Sequence, residues 1–168
     1  MRFYRLIQCL MVVLVVSSCA SYELASGSGC FAKGTKILSP SGPVAIETLA
    51  AGNEVYAWDE PTNQVVIGVV EQLVTRENSE TWTVSLGNGR SLEITSDHPL
   101  YDAKSKIWKP FAEFKIGDSL KYFDDDSQTL IDVDISALGK SSVRQTTYNL
   151  KVRRYENSFA EGVLAHFY

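Results

Sequence analysis

The chain carries two histidines, His98 and His166, and a cysteine, Cys30, directly behind a glycine. A thiol beside a peptide bond can attack the carbonyl on its own upstream side through a five-membered ring. The attack is intramolecular, so orientation supplies much of the rate. Its product is a thioester between Gly29 and the Cys30 sulfur, with a newly freed amine. Three aids are needed: a proton for the departing nitrogen, donors for the oxyanion, and an amide held off its relaxed planar geometry. His98 closes the segment Thr95-Ser96-Asp97-His98, and an imidazole can hold or donate a proton near neutral pH. Thr95 is expected to set its hydroxyl or backbone donors near the oxyanion, and Asp97 to orient or tune the imidazole. Gly29 has no side chain to obstruct attack and tolerates a strained backbone. An ordinary cysteine thiol titrates at about 8.5 and is mostly protonated at neutral pH, so local deprotonation would help.

The elements that must position these groups read as strands. Residues 35–38 form a short strand and 39–43, Ser-Pro-Ser-Gly-Pro, a turn; residues 44–49 follow, then a turn at 51–53. Residues 54–58 and the long β-branched run 64–75 are strands. Residues 81–86 alternate into Gly87-Asn88-Gly89, a hairpin turn because Asn and Gly accept positive φ, and residues 91–95 return. Further strands are expected over 115–123 and 148–155, while 132–142 reads as irregular or a single helical turn. Turn signals recur closely and no segment keeps a helical period. The fold class is all-β, with many short strands. A weak internal echo pairs residues 45–55 with 110–120: each sets a hydrophobic pair before Gly-Asn or Gly-Asp and then opens a strand, which suggests a duplicated β unit. Trp58, Trp82, Trp108 and the tyrosines read as core and cross-strand packing.

The chain has 168 residues and a net charge of −4 with no dominant basic patch, which argues against a nucleic-acid partner. Asp124-Asp125-Asp126 reads as a solvated loop; no metal site and no cofactor are expected. Residues 1–18 read as an export signal, with Arg2 and Arg5 before an apolar run at 6–16 that is too short to span a bilayer. The run ends in Val16-Ser17-Ser18-Cys19, which resembles a bacterial lipobox. Cys19 would then be lipidated, giving an exported, membrane-anchored lipoprotein of the cell envelope; ordinary signal cleavage nearby is the alternative. Residues 19–29 are a small, polar tether and residues 30–168 one domain. With Cys9 lost in the signal and Cys19 a thioether, Cys30 alone stays a thiol.

Residues 30–37, Cys-Phe-Ala-Lys-Gly-Thr-Lys-Ile, residues 95–100, Thr-Ser-Asp-His-Pro-Leu, and the closing stretches at 147–152 and 157–166 stand in an order that resembles the Hint domains. That family is shared by the Hedgehog autoprocessing region and by inteins. The resemblance implies that Cys30 is the acyl-shift nucleophile, that Thr95 and His98 activate the scissile Gly29–Cys30 bond, and that His166 matches the penultimate histidine that assists the C-terminal step in inteins. There are departures. Phe167 stands where inteins carry the cyclising asparagine, so splicing within this chain is not expected. Asn149 occupies the place of an acidic residue that couples the two cleavages, and Glu156 that of another histidine. The substrate would be the chain's own tether, and water, a small thiol, an amine or an alcohol would resolve the thioester. The rival reading is a membrane-tethered β module that binds a partner through a fold whose active site is idle. A third is a remnant of a larger toxin-delivery or splicing gene that has lost its cargo.

Overall fold

Alternation of apolar and polar residues sends every second side chain inward and builds the sheets of this molecule. The computed structural model describes residues 29–167. In chain order the strands are β1 (Phe31–Ala32), β2 (Lys36–Ile37), β3 (Val44–Ala45), β4 (Glu54–Asp59), β5 (Gln64–Ser79), β6 (Trp82–Leu86), β7 (Ser91–Ile94), β8 (Pro99–Asp102), β9 (Ile107–Pro110), β10 (Ser119–Asp124), β11 (Thr129–Lys140), β12 (Gln145–Val152), β13 (Asn157–Ala160) and β14 (Val163–His166). Two single-turn 3₁₀ segments, Ile46–Thr48 and Phe111–Glu113, complete the elements, and no α-helix occurs among the described residues. The strands follow one continuous antiparallel path, β3-β2-β13-β14-β8-β10-β11-β6-β7-β1-β12-β5-β4, with β9 beside β8.

The internal echo is a physical duplication. In the first copy Ile46–Thr48 turns, Leu49 N–H closes on Ile46 O, and Gly52 at φ +93 leads into β4. In the second, Phe111–Glu113 turns, Phe114 N–H closes on Phe111 O, and Gly117 at φ +89 leads into β10. The side chains of Asn53 and Asp118 cap the two turns alike, accepting from Ala50 N–H and Lys115 N–H. Gly52 N–H donates to Val70 O and Gly117 N–H to Ile135 O, each at 2.9 Å. Each unit then sends out one long strand that changes partner along its length. β5 pairs with β4 through Val69 and with β12 from Val70; β11 pairs with β10 through Asp134 and with β6 from Ile135. A register shift marks the change in both, as expected where a bulge bends a strand.

This corrects the reading of residues 132–142 as irregular: they lie within and just beyond β11. Most exposed positions of β11 are polar or small and only Val133 and Ile135 are buried, so its inward alternation is brief. The strand expected over 115–123 begins only at Ser119, because 115–118 form the Gly117 turn, and the one expected over 148–155 is Gln145–Val152. Residues 44–49 divide into β3 and a 3₁₀ turn. The hairpin at residues 87–89 forms as expected, with Gly89 at φ +83.

The main core gathers Phe31, Ile37, Ile46, Val84, Ile94, Leu100, Leu120, Leu150 and Phe167, all buried from solvent. A second cluster holds Trp58, Tyr101, Phe123, Phe159 and Leu164, which accounts for Trp58 as packing. Trp82 packs on the main core and Trp108 on the second. β1 and β14, from opposite ends of the described chain, both serve this interior: the Phe31 and Phe167 rings stack at 5.4 Å.

Candidate functional site

Cys30 immediately precedes β1, which is wedged between β7 and β12. The turn after β7 carries residues 95–98. It is pinned from below by the second 3₁₀ segment, whose Phe111 N–H and Ala112 N–H donate to His98 O and Ser96 O at 2.8 Å. That anchoring fixes the turn against Cys30 at two points. The Cys30 N–H donates to Thr95 Oγ1 at 2.8 Å, and the Thr95 N–H donates to Cys30 O at 2.9 Å. The nitrogen of the Gly29–Cys30 bond is therefore already in contact with the threonine singled out from the sequence.

The Thr95 hydroxyl gives its own proton to Asp97 Oδ1 at 2.6 Å. The side chain thus acts as an acceptor at the nitrogen and has no proton left for the carbonyl oxygen. Asp97 in turn meets Arg76 of β5 at 3.3 Å, with both side chains partly exposed. Burial raises the Asp97 carboxyl, but the hydrogen bonds from Thr95 and Arg76 outweigh it, and the group stays ionised to below its ordinary range. Asp97 reaches the imidazole only as a nearby charge; its direct partners are Thr95 and Arg76.

His98 stands on the other side of the bond. A methyl built on Gly29 would fall 2.0 Å from His98 Cα and 2.3 Å from its Cβ, so only a glycine fits there. The imidazole is wholly buried between the Phe31 ring at 4.2 Å and the Phe167 ring at 5.8 Å. Neither of its nitrogens has a partner at hydrogen-bond geometry, although the Gly29 and His166 carbonyls lie near enough to favour its charged form. Burial dominates and pushes its pKa down to about 3, so the ring is neutral at physiological pH. The threonine hydroxyl, expected near the oxyanion, thus sits on the nitrogen, and His98 packs against Gly29.

His166 ends β14 and is carried beside this site by the pairing of β14 with β8. Its ring meets the Trp108 edge at 5.4 Å; burial lowers its pKa while Glu156 pulls the other way. Glu156 takes a left-handed conformation at φ 50, and its carbonyl accepts the Phe167 N–H at 2.7 Å. Phe167 is fully buried, a core side chain where an asparagine was the family expectation. Asn149 is buried in β12, and its side-chain oxygen accepts the N–H of Leu150, a local bond within the strand. Cys19 lies outside the described residues, as do the signal segment and the tether up to residue 28.

Two further residues join the site that sequence reasoning did not single out. Thr147, fully buried in β12 opposite Ala32, brings its hydroxyl to the Cys30 thiol and favours the thiolate. It sits two residues before Asn149 on the same strand face, and that alternation was the one signal that could have found it. Arg76 left no trace in the sequence beyond its place at the end of a β-branched run. Burial raises the Cys30 thiol pKa, with Thr147 and Arg76 opposing and Asp97 adding to the rise. An open concavity of about 410 Å³ borders the site, lined by Arg76, Ser79, Thr95, Ser96, Asp97 and Arg144.

Residues 29–101 match the sequence profile of the Hint domain. The chain is similar to the solution structure of a bacterial intein-like domain from Clostridium thermocellum, at 29% identity and TM-score 0.69, covering 82% of this chain and 97% of that one. It also matches the DnaB intein from Synechocystis sp. PCC 6803, at 19% identity and TM-score 0.76, over 84% of this chain and 99% of that one. A third match is the Ssp DnaB mini-intein variant M86, at 18% identity and TM-score 0.76, over 83% and 94%. No curated protein sequence matches the chain. The all-β architecture is the intein/Hint fold, and residues 29–101 carry the stretch that matches the Hint family model.

Proposed function

We propose that the domain breaks its own chain between Gly29 and Cys30. The Cys30 sulfur adds to the Gly29 carbonyl carbon, the carbon–nitrogen bond breaks, and the thiol proton is balanced by a proton gained at the released amine. The thioester is then resolved by an external nucleophile: water leaves a Gly29 carboxylate, a small thiol leaves a new thioester, and either regenerates the Cys30 thiol. The single observation that carries this reading is the 2.8 Å hydrogen bond from the scissile N–H to Thr95 Oγ1, backed by the Asp97 carboxylate. An acceptor there has little to offer a neutral amide, but it strongly favours the protonated nitrogen of the tetrahedral adduct, from which the bond breaks to leave the amine. His98, against Gly29, is positioned to polarise the carbonyl and to pass a proton to the nitrogen on the same carbon.

Phe167 has no carboxamide and cannot cyclise, so the reaction stops at the N-terminal bond. The substrate is the chain's own tether. In this reading residues 1–18 direct export, Cys19 carries a lipid that holds the tether in the envelope membrane, and cleavage frees the domain. Each molecule reacts once. Intact mass of the full chain tests the proposal: wild type loses its N-terminal piece, faster with added thiol, and Cys30→Ala keeps it. Equal persistence of both under thiol ends the proposal.

A second reading has its own support. The nucleophile is wholly buried and its thiol is raised by that burial, as in a fold kept as a tethered interaction module with an idle site. Protein recovered from its native membrane with the tether intact would favour it.

A further inference from the structure

We propose that the Thr147 and Ser79 hydroxyls form the exit for the Cys30 thiol proton, Thr147 as a catalytic residue of the acyl shift and Ser79 as the residue that positions it. The inference rests on the self-cleavage reading and adds to it a route by which the thiol proton reaches solvent. Cys30 has no surface exposure, so water cannot collect its proton directly. The groups already assigned are committed elsewhere. His98 packs against Gly29, on the carbonyl side of the bond in the self-cleavage reading. Asp97 Oδ1 is occupied by the Thr95 hydroxyl, and that hydroxyl's oxygen by the Cys30 N–H. The charged groups acting on the thiol are Arg76 from β5 and Asp97 from the turn after β7, and β12 presents the Thr147 hydroxyl.

That hydroxyl leads outward. Thr147 Oγ1 donates to Ser79 Oγ at 2.8 Å and leans on Arg76 O at 3.3 Å. Ser79 sits at the end of β5, and its residue borders the open concavity beside Thr95 and Asp97. Sulfur, Thr147 oxygen and Ser79 oxygen therefore form a chain from a closed interior to solvent. A hydroxyl accepts and donates at once, so each link can pass a proton along. The thiol proton moves to Thr147 Oγ1, the Thr147 proton to Ser79 Oγ, and the Ser79 proton to a water in the concavity. The sulfur left behind is a thiolate that takes the Thr147 proton as a hydrogen bond and attacks Gly29; the amine later recovers one proton from solvent. Packing alone does not call for this pair. The Arg76 carbonyl would satisfy the Thr147 hydroxyl, and a valine would fill the same space.

The test uses the full chain with Cys9→Ser and Cys19→Ser, so that Cys30 is the only thiol. Two readings are taken: the rate of N-terminal loss at fixed thiol across pH in H₂O and D₂O, and the titration of the Cys30 ¹³Cβ shift in uncleaved protein without nucleophile. Thr147→Val is expected to slow cleavage at pH 7 about tenfold or more, raise the thiol titration midpoint, and reduce the solvent isotope effect. Thr147→Ser restores all three, and Ser79→Ala slows cleavage severalfold. Wild-type rate and midpoint in Thr147→Val overturn the inference. If Thr147→Val fails to fold, Ser79→Ala decides by the same readings: unchanged rate and isotope effect overturn the inference. If wild type never cleaves yet the midpoint shifts in Thr147→Val, the proton path stands and the self-cleavage reading falls.

Discussion

At the scale of single residues, the site consists of one peptide bond gripped from two sides. Thr95 holds the nitrogen and Gly29 packs on His98. Gly29→Ala would drive a methyl into backbone and Cβ atoms of His98 that have no freedom to swing aside, so the bond shifts away from Thr95. The expected result is loss of thiol-induced cleavage with the fold retained, read by intact mass and circular dichroism. Thr95→Val leaves the buried Cys30 N–H without an acceptor, a cost of about 1–3 kcal/mol, measurable by urea unfolding. His98 also makes stability depend on pH. Unfolded, its imidazole titrates near 6.5; folded, near 3. Between those values the unfolded chain binds the extra proton, so stability is full above pH 6.5 and falls as pH drops toward 3, by up to about 1.4 kcal/mol per pH unit. His166, lowered by burial as well, acts in the same direction. The urea midpoint of wild type should therefore drop more between pH 7 and pH 4.5 than that of His98→Leu; equal drops would show that the buried neutral ring is not the source.

At the scale of elements, the duplicated units give a symmetric prediction. Gly52 and Gly117 hold equivalent left-handed positions, and a methyl on either meets nothing within 4 Å. The cost of Gly52→Ala and Gly117→Ala is then purely backbone, about 1–2 kcal/mol each, and the two thermal shifts should agree. Gly162→Ala is different: beside φ +87, its methyl would strike the Tyr122 ring at 2.4 Å, so its shift should exceed theirs. The duplication was legible because its turns depend on local chemistry, a Gly at positive φ followed by a capping Asn or Asp. β11 was not legible over 132–142. A run of polar and small residues becomes a strand only when β10 and β6 supply partners along its two halves, and the second of these partners is far away in sequence.

At the scale of the whole molecule, the two ends of the domain close on one interior. Phe31 beside Cys30, His98 from the middle of the chain and Phe167 after β14 form one ring cluster. Phe167 is therefore a packing residue of this interior. Phe167→Ala should destabilise the fold by about 3–5 kcal/mol, as truncation of a buried ring does. It should also slow cleavage in the surviving native fraction, because the wall behind the imidazole is gone. Phe167→Asn restores a carboxamide in name, yet buries an amide among aromatic rings. It is expected to destabilise comparably without producing C-terminal cleavage, with urea unfolding and intact mass as the measurements.

The sequence by itself determined the fold class, the duplicated turns and the residues Gly29, Cys30, Thr95 and His98, because strand alternation, positive-φ glycines and reactive side chains are properties of short windows. Tertiary structure alone decided that the Thr95 hydroxyl meets the nitrogen while His98 packs on Gly29, and it alone brought Arg76 and Thr147 to the thiol and Ser79 to Thr147. Those outcomes depend on the pairing of β1 with β12 and of β12 with β5. A cross-strand contact between segments that distant is set by sheet register, which no local window encodes.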